Sequence, residues 1–361
     1  MGAAKKMNRL ENLASLISSD CALITSDINR RYFTGMKSSA GTILLFRERA
    51  YFIIDFRYIE KAKKLLSGDP FIKVILQDKL YEQIGHFVNK YSAKSMAIES
   101  MSMTVSELEK LKKKLEIEID DSDNLSNSIN SLRMIKSPDE ISKMIEAQRI
   151  AEAGFEHMLS FVHEGVTERE IQLELDYYML SHGAEALSFD TIALSGKNTS
   201  LPHGVPSGKR VEKGDFVLLD FGAVVDGYHS DMTRTFCVGQ PTDKMKRVYD
   251  IVLKAQLAAI SAVKSGIKGC DLDRVARDII ASEGYRDQFG HSLGHGVGAD
   301  IHEQPYAAKS YQGELPENSI VTIEPGIYIE NEFGVRIEDF VIVKNDGCEN
   351  MTKAPKELII L

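Results

Sequence analysis

Apolar residues in the first third of the chain switch between short unbroken runs and helical spacing. Runs at 22–25, 42–46, 51–54, 74–76 and 97–98 predict strands. Between them, stretches at 10–17, 58–66, 80–88 and 105–115 carry apolar residues three and four apart and predict amphipathic helices. Strand and helix alternating at this spacing predict an α/β layer. The pattern then stops. Residues 120–131 (DDSDNLSNSINS) are polar and read as a linker or loop. Ser137-Pro138-Asp139-Glu140 follows, with Ser137 as a helix N-cap, Pro138 at the first helical position and Glu140 completing a capping box. A boundary near residue 130 is expected, giving an N-terminal domain over 1–130 and a second over 131–361.

The second part repeats itself. Gly165, Val166, Glu170, Ile171, Ser181 and Gly183 recur as Gly266, Ile267, Asp271, Leu272, Ser282 and Gly284, at a constant offset of 101 residues. Each copy ends one long helix, turns and starts another. Leu201-Pro202-His203-Gly204 is echoed by Leu293-Gly294-His295-Gly296. Two similar α+β halves about a pseudo-two-fold axis are expected, with a site between them. After each helical pair come hairpin patterns: 216–222 with 228–238 about Asp226-Gly227, and 320–328 with 335–343 about 330–334.

Both hairpins push acids out of apolar strands. Pairing about Asp226-Gly227 sets Asp220 opposite Thr233, with Asp231 one diagonal step away on the same face. Pairing about Asn331 sets Glu324 opposite Glu338. A lone carboxylate within Val217-Leu218-Leu219-Asp220-Phe221 is expensive to bury. Any one strand Asp or Glu is ordinarily a solvated-face residue, and a lone His in a Gly-rich stretch is ordinarily a satisfied one. Four such acids together call for cations, and two divalent ions would balance their charge. His295, between Gly294 and Gly296, adds an imidazole, and its glycine neighbours let backbone approach a metal closely. An oxygen-dominated set with one imidazole suits manganese, cobalt, iron(II) or zinc. His302-Glu303 is not an HExxH motif, because position 306 is tyrosine.

Composition narrows the classes. The net charge is −9, from 44 Lys+Arg against 53 Asp+Glu, so a phosphate-backbone binder is disfavoured. Neither a GxGxxG nor a GxxxxGK[ST] loop occurs. No apolar run reaches the length of a membrane helix. Cys21, Cys237, Cys270 and Cys348 are too dispersed for a disulfide framework or zinc finger. The start, MGAAKKMNRL, lacks a signal-peptide core, Lys6 breaks a myristoylation pattern after Gly2, and Met7 is an alternative start. A cytoplasmic protein is expected.

The segments VLLDFGAVVDGYHSDMTRTF, HSLGHGVGADIHE, TIEPGIYI and GVRIED resemble, in order and spacing, the signature segments of the pita-bread metallopeptidases. That family holds Xaa-Pro aminopeptidases, Xaa-Pro dipeptidases (prolidases), methionine aminopeptidases and creatinases. More loosely, Arg31-Tyr32-Phe33-Thr34-Gly35 and Asp55-Phe56-Arg57-Tyr58 resemble the creatinase-type N-terminal domain. The resemblance implies an α+β chain: a smaller α/β creatinase-type domain, then a C-terminal pita-bread domain. It implies that Asp220 is held by one metal, that Asp231 and Glu338 bridge two, and that His295 and Glu324 ligate the other. Two divalent ions per subunit, manganese foremost with cobalt, zinc or iron as alternatives, would share a nucleophilic hydroxide. Glu324 would also accept and return its proton. His203 and His302 match histidines that polarise the scissile carbonyl and stabilise the oxyanion, and His291 a further substrate-contacting histidine. Tyr328 and Arg336 match residues that brace the metal carboxylates at the substrate site.

Within the family, the complete ligand set argues against a creatinase and the N-terminal domain against a methionine aminopeptidase. Some prolidases carry an Arg after the HExP segment that meets a dipeptide's carboxylate. Here that position is Tyr306, which favours an Xaa-Pro aminopeptidase over an Xaa-Pro dipeptidase. The expected substrates are peptides with proline second, and the resemblance implies a homodimer. A metal-free binding module is the remaining alternative. Arg31 and Arg57 are candidates for substrate or interdomain contact, with surface or core-bracing roles the ordinary alternative.

Overall fold

The computed structural model describes residues 8–361, and the readings placed on Gly2, Lys6 and Met7 fall outside them. The chain divides into two compact units, Met1–Arg133 and Met134–Leu361. The first unit runs α1 (Arg9–Leu16), β1 (Cys21–Ile24), α2 (Asp27–Thr34), β2 (Thr42–Phe46), β3 (Ala50–Ile54), α3 (Ile59–Leu65), β4 (Ile72–Leu76), α4 (Leu80–Lys90), β5 (Ser95–Ile98), α5 (Val105–Lys114), β6 (Glu118–Asp120) and α6 (Asn124–Met134). Its strands form one mixed sheet in the order β4-β3-β2-β1-β5-β6. β1, β2 and β3 are buried at every position because both faces of the sheet are covered, and all their residues but Thr42 are apolar. Ile43, Leu45 and Phe52 face one core with α1 and α6, and Leu44, Phe46 and Tyr51 the other with α4 and α5.

Residues 120–131 are not a linker. From Asn124 they form α6, whose Leu125 and Ile129 are buried in the sheet's core, with Leu132 packed against it. Apolar residues spaced four and three apart suffice for one helix face, and tertiary burial outweighs the weak helix preference of the Ser and Asn around them. The helix α2, unassigned in the sequence reading, is capped by Ser26 and stopped by Gly35 at φ +69°. Arg57 is exposed and paired with Asp55 at 2.6 Å, a local surface contact.

The second unit contains α7 (Pro138–Phe161), α8 (Glu168–Ser181), β7 (Ala186–Leu187), β8 (Ile192–Ser195), β9 (Phe216–Phe221), β10 (Ala223–Val225), β11 (Tyr228–His229) and β12 (Met232–Cys237). It continues with α9 (Asp243–Ala262), α10 (Gly269–Ser282), β13 (Gly294–Gly296), β14 (Glu303–Ala307), β15 (Ile320–Ile323), β16 (Gly326–Ile329), β17 (Phe333–Arg336), β18 (Asp339–Lys344) and β19 (Gly347–Asn350). The capping box of Ser137 and Glu140 starts α7. The internal repeat is structural: α7–α8 and α9–α10 are matching helical pairs, and α8 and α10 each span 14 residues. Gly165 and Gly266 turn each pair at φ +92° and +82°. The second echo is not structural, since 201–204 lie in a loop whereas Gly294–Gly296 is a strand. One core packs α7 and α8 on β9 and β12, and another packs α9 and α10 on β15 to β18.

Both hairpins keep the expected register. Thr233 faces Asp220 and Tyr228 faces Val225, about a turn with Asp226 at φ +48° and Gly227 at φ +80°. Asp339 faces Ile323 and Arg336 faces Gly326, so Glu324 stands across from Glu338. Each hairpin is nonetheless broken into two ladders. The first breaks at Gly222 with Ser230 and Asp231, the second at Glu324 and Pro325 with Ile337 and Glu338. Three of the four acids sit at these breaks, where the strands bend and carboxylates from separate sheets can converge.

Candidate metal centre

The backbone carries the second hairpin onto the first: the Glu338 N–H donates to Thr233 O at 3.1 Å. Arg234, fully buried, fixes that junction. Its guanidinium donates to Thr233 O at 2.9 Å and Glu338 O at 2.5 Å, and pairs with Asp339 at 2.7 Å. Burial alone would raise Asp339, but Arg234 and Lys356 hold its carboxyl below the usual range. Arg234 was not singled out in the sequence.

Four carboxylates and one imidazole meet at the breaks. Oxygens of Asp231 and Glu338 and a nitrogen of His295 lie within 4.8 Å of one another. Glu324 Oε1 is 3.4 Å and Asp231 Oδ2 3.5 Å from His295 Nε2. His295 Nδ1 donates to its neighbour Gly296 O at 3.1 Å, which leaves Nε2 as the lone-pair nitrogen facing the acids. Burial, followed by the neighbouring His302, lowers the His295 pKa to about 3. Asp220 accepts from Arg336 at 2.5 Å through Oδ2, while its Oδ1 is buried without a hydrogen bond.

Glycine at 294 and 296 serves packing here. A Cβ at 294 would lie 1.9 Å from Thr322 O, and one at 296 would lie 2.5 Å from Gln304 O. The close approach is to the adjoining strands, which seat His295 between them. Thr322 extends this seat, accepting the His295 N–H at 3.0 Å and donating to Glu324 at 3.1 Å. Thr233 donates to Glu338 Oε2 at 2.6 Å and accepts from Arg336 at 3.0 Å. Neither threonine was singled out in the sequence, although Thr322 lies two residues before Glu324 and Thr233 directly opposite Asp220.

The electrostatics are those of a cation site. Burial, then Asp220 and Glu324, raise Asp231 well above the usual carboxylate range. Burial, then Asp231, Glu324 and Asp220, do the same to Glu338. Glu324 is pushed up to about 8, chiefly by burial and against the pull of Arg336. One buried arginine cannot neutralise four carboxylates, so Asp231, Glu324 and Glu338 favour their protonated forms unless other cations join them. The donor set, the unsatisfied Asp220 oxygen and the mutual repulsion therefore fit divalent metal. Asp231, Glu338 and His295 converge on one position, with Glu324 Oε1 3.4 Å from His295 Nε2.

These residues line one cavity of about 840 Å³, together with His203, His291, His302, Tyr306 and Arg336. His203 and His302 are exposed to it, and no ring nitrogen of either has a hydrogen-bond partner among the described residues. His291 differs. Its Nδ1 donates to Ser292 O at 2.8 Å and its Nε2 accepts from Tyr328 Oη at 2.9 Å, so neither ring nitrogen is free for substrate. Burial, then Arg336, lowers its pKa to about 4. Tyr328 stands behind the cavity wall, where it also accepts from Arg336 at 2.7 Å. Arg336 and Tyr328 thus form a brace from Asp220 to His291. Arg169, missed in the sequence, also lines the cavity. Its guanidinium bonds only the Gln172 side chain, at 2.6 Å, and meets no carboxylate within 4.0 Å among the described residues.

The profile of metallopeptidase family M24 matches residues 142–345, spanning the whole ligand set. The chain belongs to this family. Residues 6–135 match the creatinase/prolidase N-terminal domain. A curated Xaa-Pro dipeptidase of Pyrococcus horikoshii is 39% identical over 98% of this chain and 99% of its own length. The solved structure of an Xaa-Pro dipeptidase from Bacillus anthracis superposes with a TM-score of 0.94 at 42% identity, covering 98% of this chain and 99% of that one. An X-Pro aminopeptidase from Thermotoga maritima gives 0.88 at 36%, covering 97% and 99%. This M24 peptidase therefore has the α+β architecture expected, with a creatinase-type domain preceding the metallopeptidase domain. Family membership makes it a divalent-metal enzyme. No helix among the described residues is long and apolar enough to cross a membrane.

Proposed function

We propose that this chain is a proline-directed dinuclear metal exopeptidase, acting as an Xaa-Pro dipeptidase with manganese its foremost metal. The observation that carries the reading is the convergence of Asp220, Asp231, His295, Glu324 and Glu338 in one cavity beside two unpartnered histidines. The dipeptidase names among its relatives support that choice over the aminopeptidase expected from Tyr306. The guanidinium of Arg169, which pairs with no carboxylate within 4.0 Å among the described residues, supports it too, since it offers a dipeptide's carboxylate a cation that position 306 does not.

Bound divalent ions would supply Lewis acidity and an acidified water to attack the carbonyl carbon. The chain's own residues would do the rest. Asp220, Asp231, His295, Glu324 and Glu338 would hold the ions, with Asp231 and Glu338 proposed as the shared carboxylates. Glu324 would take a proton on its carboxylate and return it to the leaving proline nitrogen. His203 and His302 would donate N–H bonds to the carbonyl oxygen as negative charge develops there. The bond to proline has no N–H and a rigid ring, so a site that grips the first residue and its carbonyl does not need the extended-chain contacts proline denies.

The test is hydrolysis of Xaa-Pro and Xaa-Pro-Xaa by manganese-loaded protein, with products identified by mass. Cleavage of the dipeptide with little of the tripeptide is expected. Release of the tripeptide's first residue at a comparable rate would make it an aminopeptidase. Cleavage of neither by protein carrying two metals would overturn the proline reading. The same preparation gives the homodimer its check by light scattering.

A further inference from the structure

The loop that carries His203 runs from Gly196 to Pro206 and has no strand or α-helix of its own beyond a short 3-10 turn at Gly196–Ser200. Pro202 to Pro206 all line the cavity. A loop this long would wander unless its ends were fixed. Backbone holds each end separately, Ser195 in the ladder with Val217 and Ser207 O by the Arg169 N–H at 3.0 Å, and one side chain joins the two. Glu168, at the start of α8, is 0% exposed and has no cationic partner within 4.0 Å among the described residues.

Every bond its side chain makes goes to the two feet of this loop or to Asn198 in the 3-10 turn between them. Oε1 accepts from the Ser195 N–H at 2.8 Å, the Ser195 hydroxyl at 3.2 Å and Asn198 Nδ2 at 3.0 Å. Oε2 accepts from the Ser207 N–H at 3.0 Å, the Ser207 hydroxyl at 2.6 Å and Asn198 Nδ2 at 3.2 Å. Elsewhere the Gly334 N–H donates to Thr199 Oγ1 at 2.8 Å, and Arg336, which bonds Asp220, donates to Pro202 O at a longer 3.4 Å.

We infer that Glu168 is a positioning residue for the reaction: its carboxylate clasps Ser195 and Ser207 and thereby holds His203 over the metal centre. A buried unpaired carboxylate is costly and persists only where several donors satisfy it. The two backbone N–H groups cannot turn round to accept, as hydroxyls can. An amide in place of the carboxylate has one acceptor oxygen, so it must face one of those N–H groups with its own NH₂. Glu168→Gln therefore releases one foot of the loop while nearly preserving shape. Loss of position at a catalytic hydrogen-bond donor lowers rate about tenfold to a hundredfold.

This inference rests on the peptidase reading of the site, and the test separates the two. Metal-loaded wild type, Glu168→Gln and the milder Ser207→Ala are compared by hydrogen exchange of peptides covering 196–206 and by kcat on Xaa-Pro. The same pair is then made in a His203→Ala background. Faster exchange confined to 196–206, unchanged metal content and a kcat loss of about tenfold or more are expected for Glu168→Gln, with a several-fold loss for Ser207→Ala. In the His203→Ala background the Glu168→Gln loss should vanish, because the group it positions is gone. A merely structural role would give the same loss in both backgrounds, and that result overturns the inference. So does unchanged exchange across 196–206 in both variants, or faster exchange with kcat intact. Should Glu168→Gln fail to fold, Ser207→Ala carries each comparison. A wild type that cleaves neither substrate refutes the proline reading alone, and the exchange measurement then decides whether Glu168 holds the loop.

Discussion

Stripping the metal should make the protein less stable as pH rises from 6.5 to 8. In the metal-free fold, Glu324 holds its proton up to about 8 against an ordinary value of 4.5, and Asp231 and Glu338 are raised as well. The folded state then binds more protons than the unfolded chain across that interval. A folded pKa above the unfolded one gives stability that is complete below 4.5 and lost as pH climbs through about 8. The histidines work the other way: His295 and His291, held near 3 and 4, favour the fold above 6.5 and disfavour it as pH falls through those values. The two effects oppose each other below 6.5, so the window from 6.5 to 8 isolates the carboxylates. At ~1.4 kcal/mol per pH unit per proton, Glu324 alone costs about 2 kcal/mol over that window. Its side chain keeps 16% of its surface, which screens part of this, while Asp231 and Glu338 add to it. For a unit of this size the transition should drop by about 4–8 °C. The assay is calorimetry of chelator-dialysed protein at pH 6.5 and 8.0 in matched salt, repeated after manganese reloading. Loading should abolish the fall, because bound cations favour the ionised carboxylates, and it should release protons at pH 6.5. A metal-free transition that is flat or rises between these two pH values would refute the reasoning.

Asp231→Asn or Glu338→Gln removes a carboxylate that the proposed centre assigns to both ions; metal analysis should show fewer than two ions, with turnover nearly abolished, and two retained ions with normal turnover would sink the ligand assignment. His302→Ala should keep both ions and lower kcat by about 10² or more, as expected for a donor that acts on developing charge, so an unchanged kcat would remove that role. Arg336→Met strands Asp220 and Tyr328 in a buried site; metal content and rate should respond together, and a calorimetric transition identical to wild type would show the brace to be idle. Asp339→Asn leaves the fully buried Arg234 unpaired and should cost about 3–5 kcal/mol in denaturant unfolding, with a loss under 1 kcal/mol counting against the clamp.

Much of this was legible in the chain because the signals are local. Asp226-Gly227 sets a two-residue turn, and a two-residue turn sets register, so Asp220 opposite Thr233 follows from counting. The four acids announce themselves as charges inside apolar strands, and the helical pair announces its own duplication. Tertiary structure decided what depends on surfaces meeting across large sequence separations. It broke each hairpin at the acids, set Glu338 against Thr233, and gave Arg336 to Asp220, 116 residues away. It turned a polar stretch into α6, because two buried apolar side chains outweigh local preference. It also tied up both nitrogens of His291 and buried Glu168 under the loop of His203. A sequence names groups that must be satisfied; which partner satisfies each is settled only where the chain returns to itself, since a buried charge or N–H takes the donor or acceptor that packing delivers.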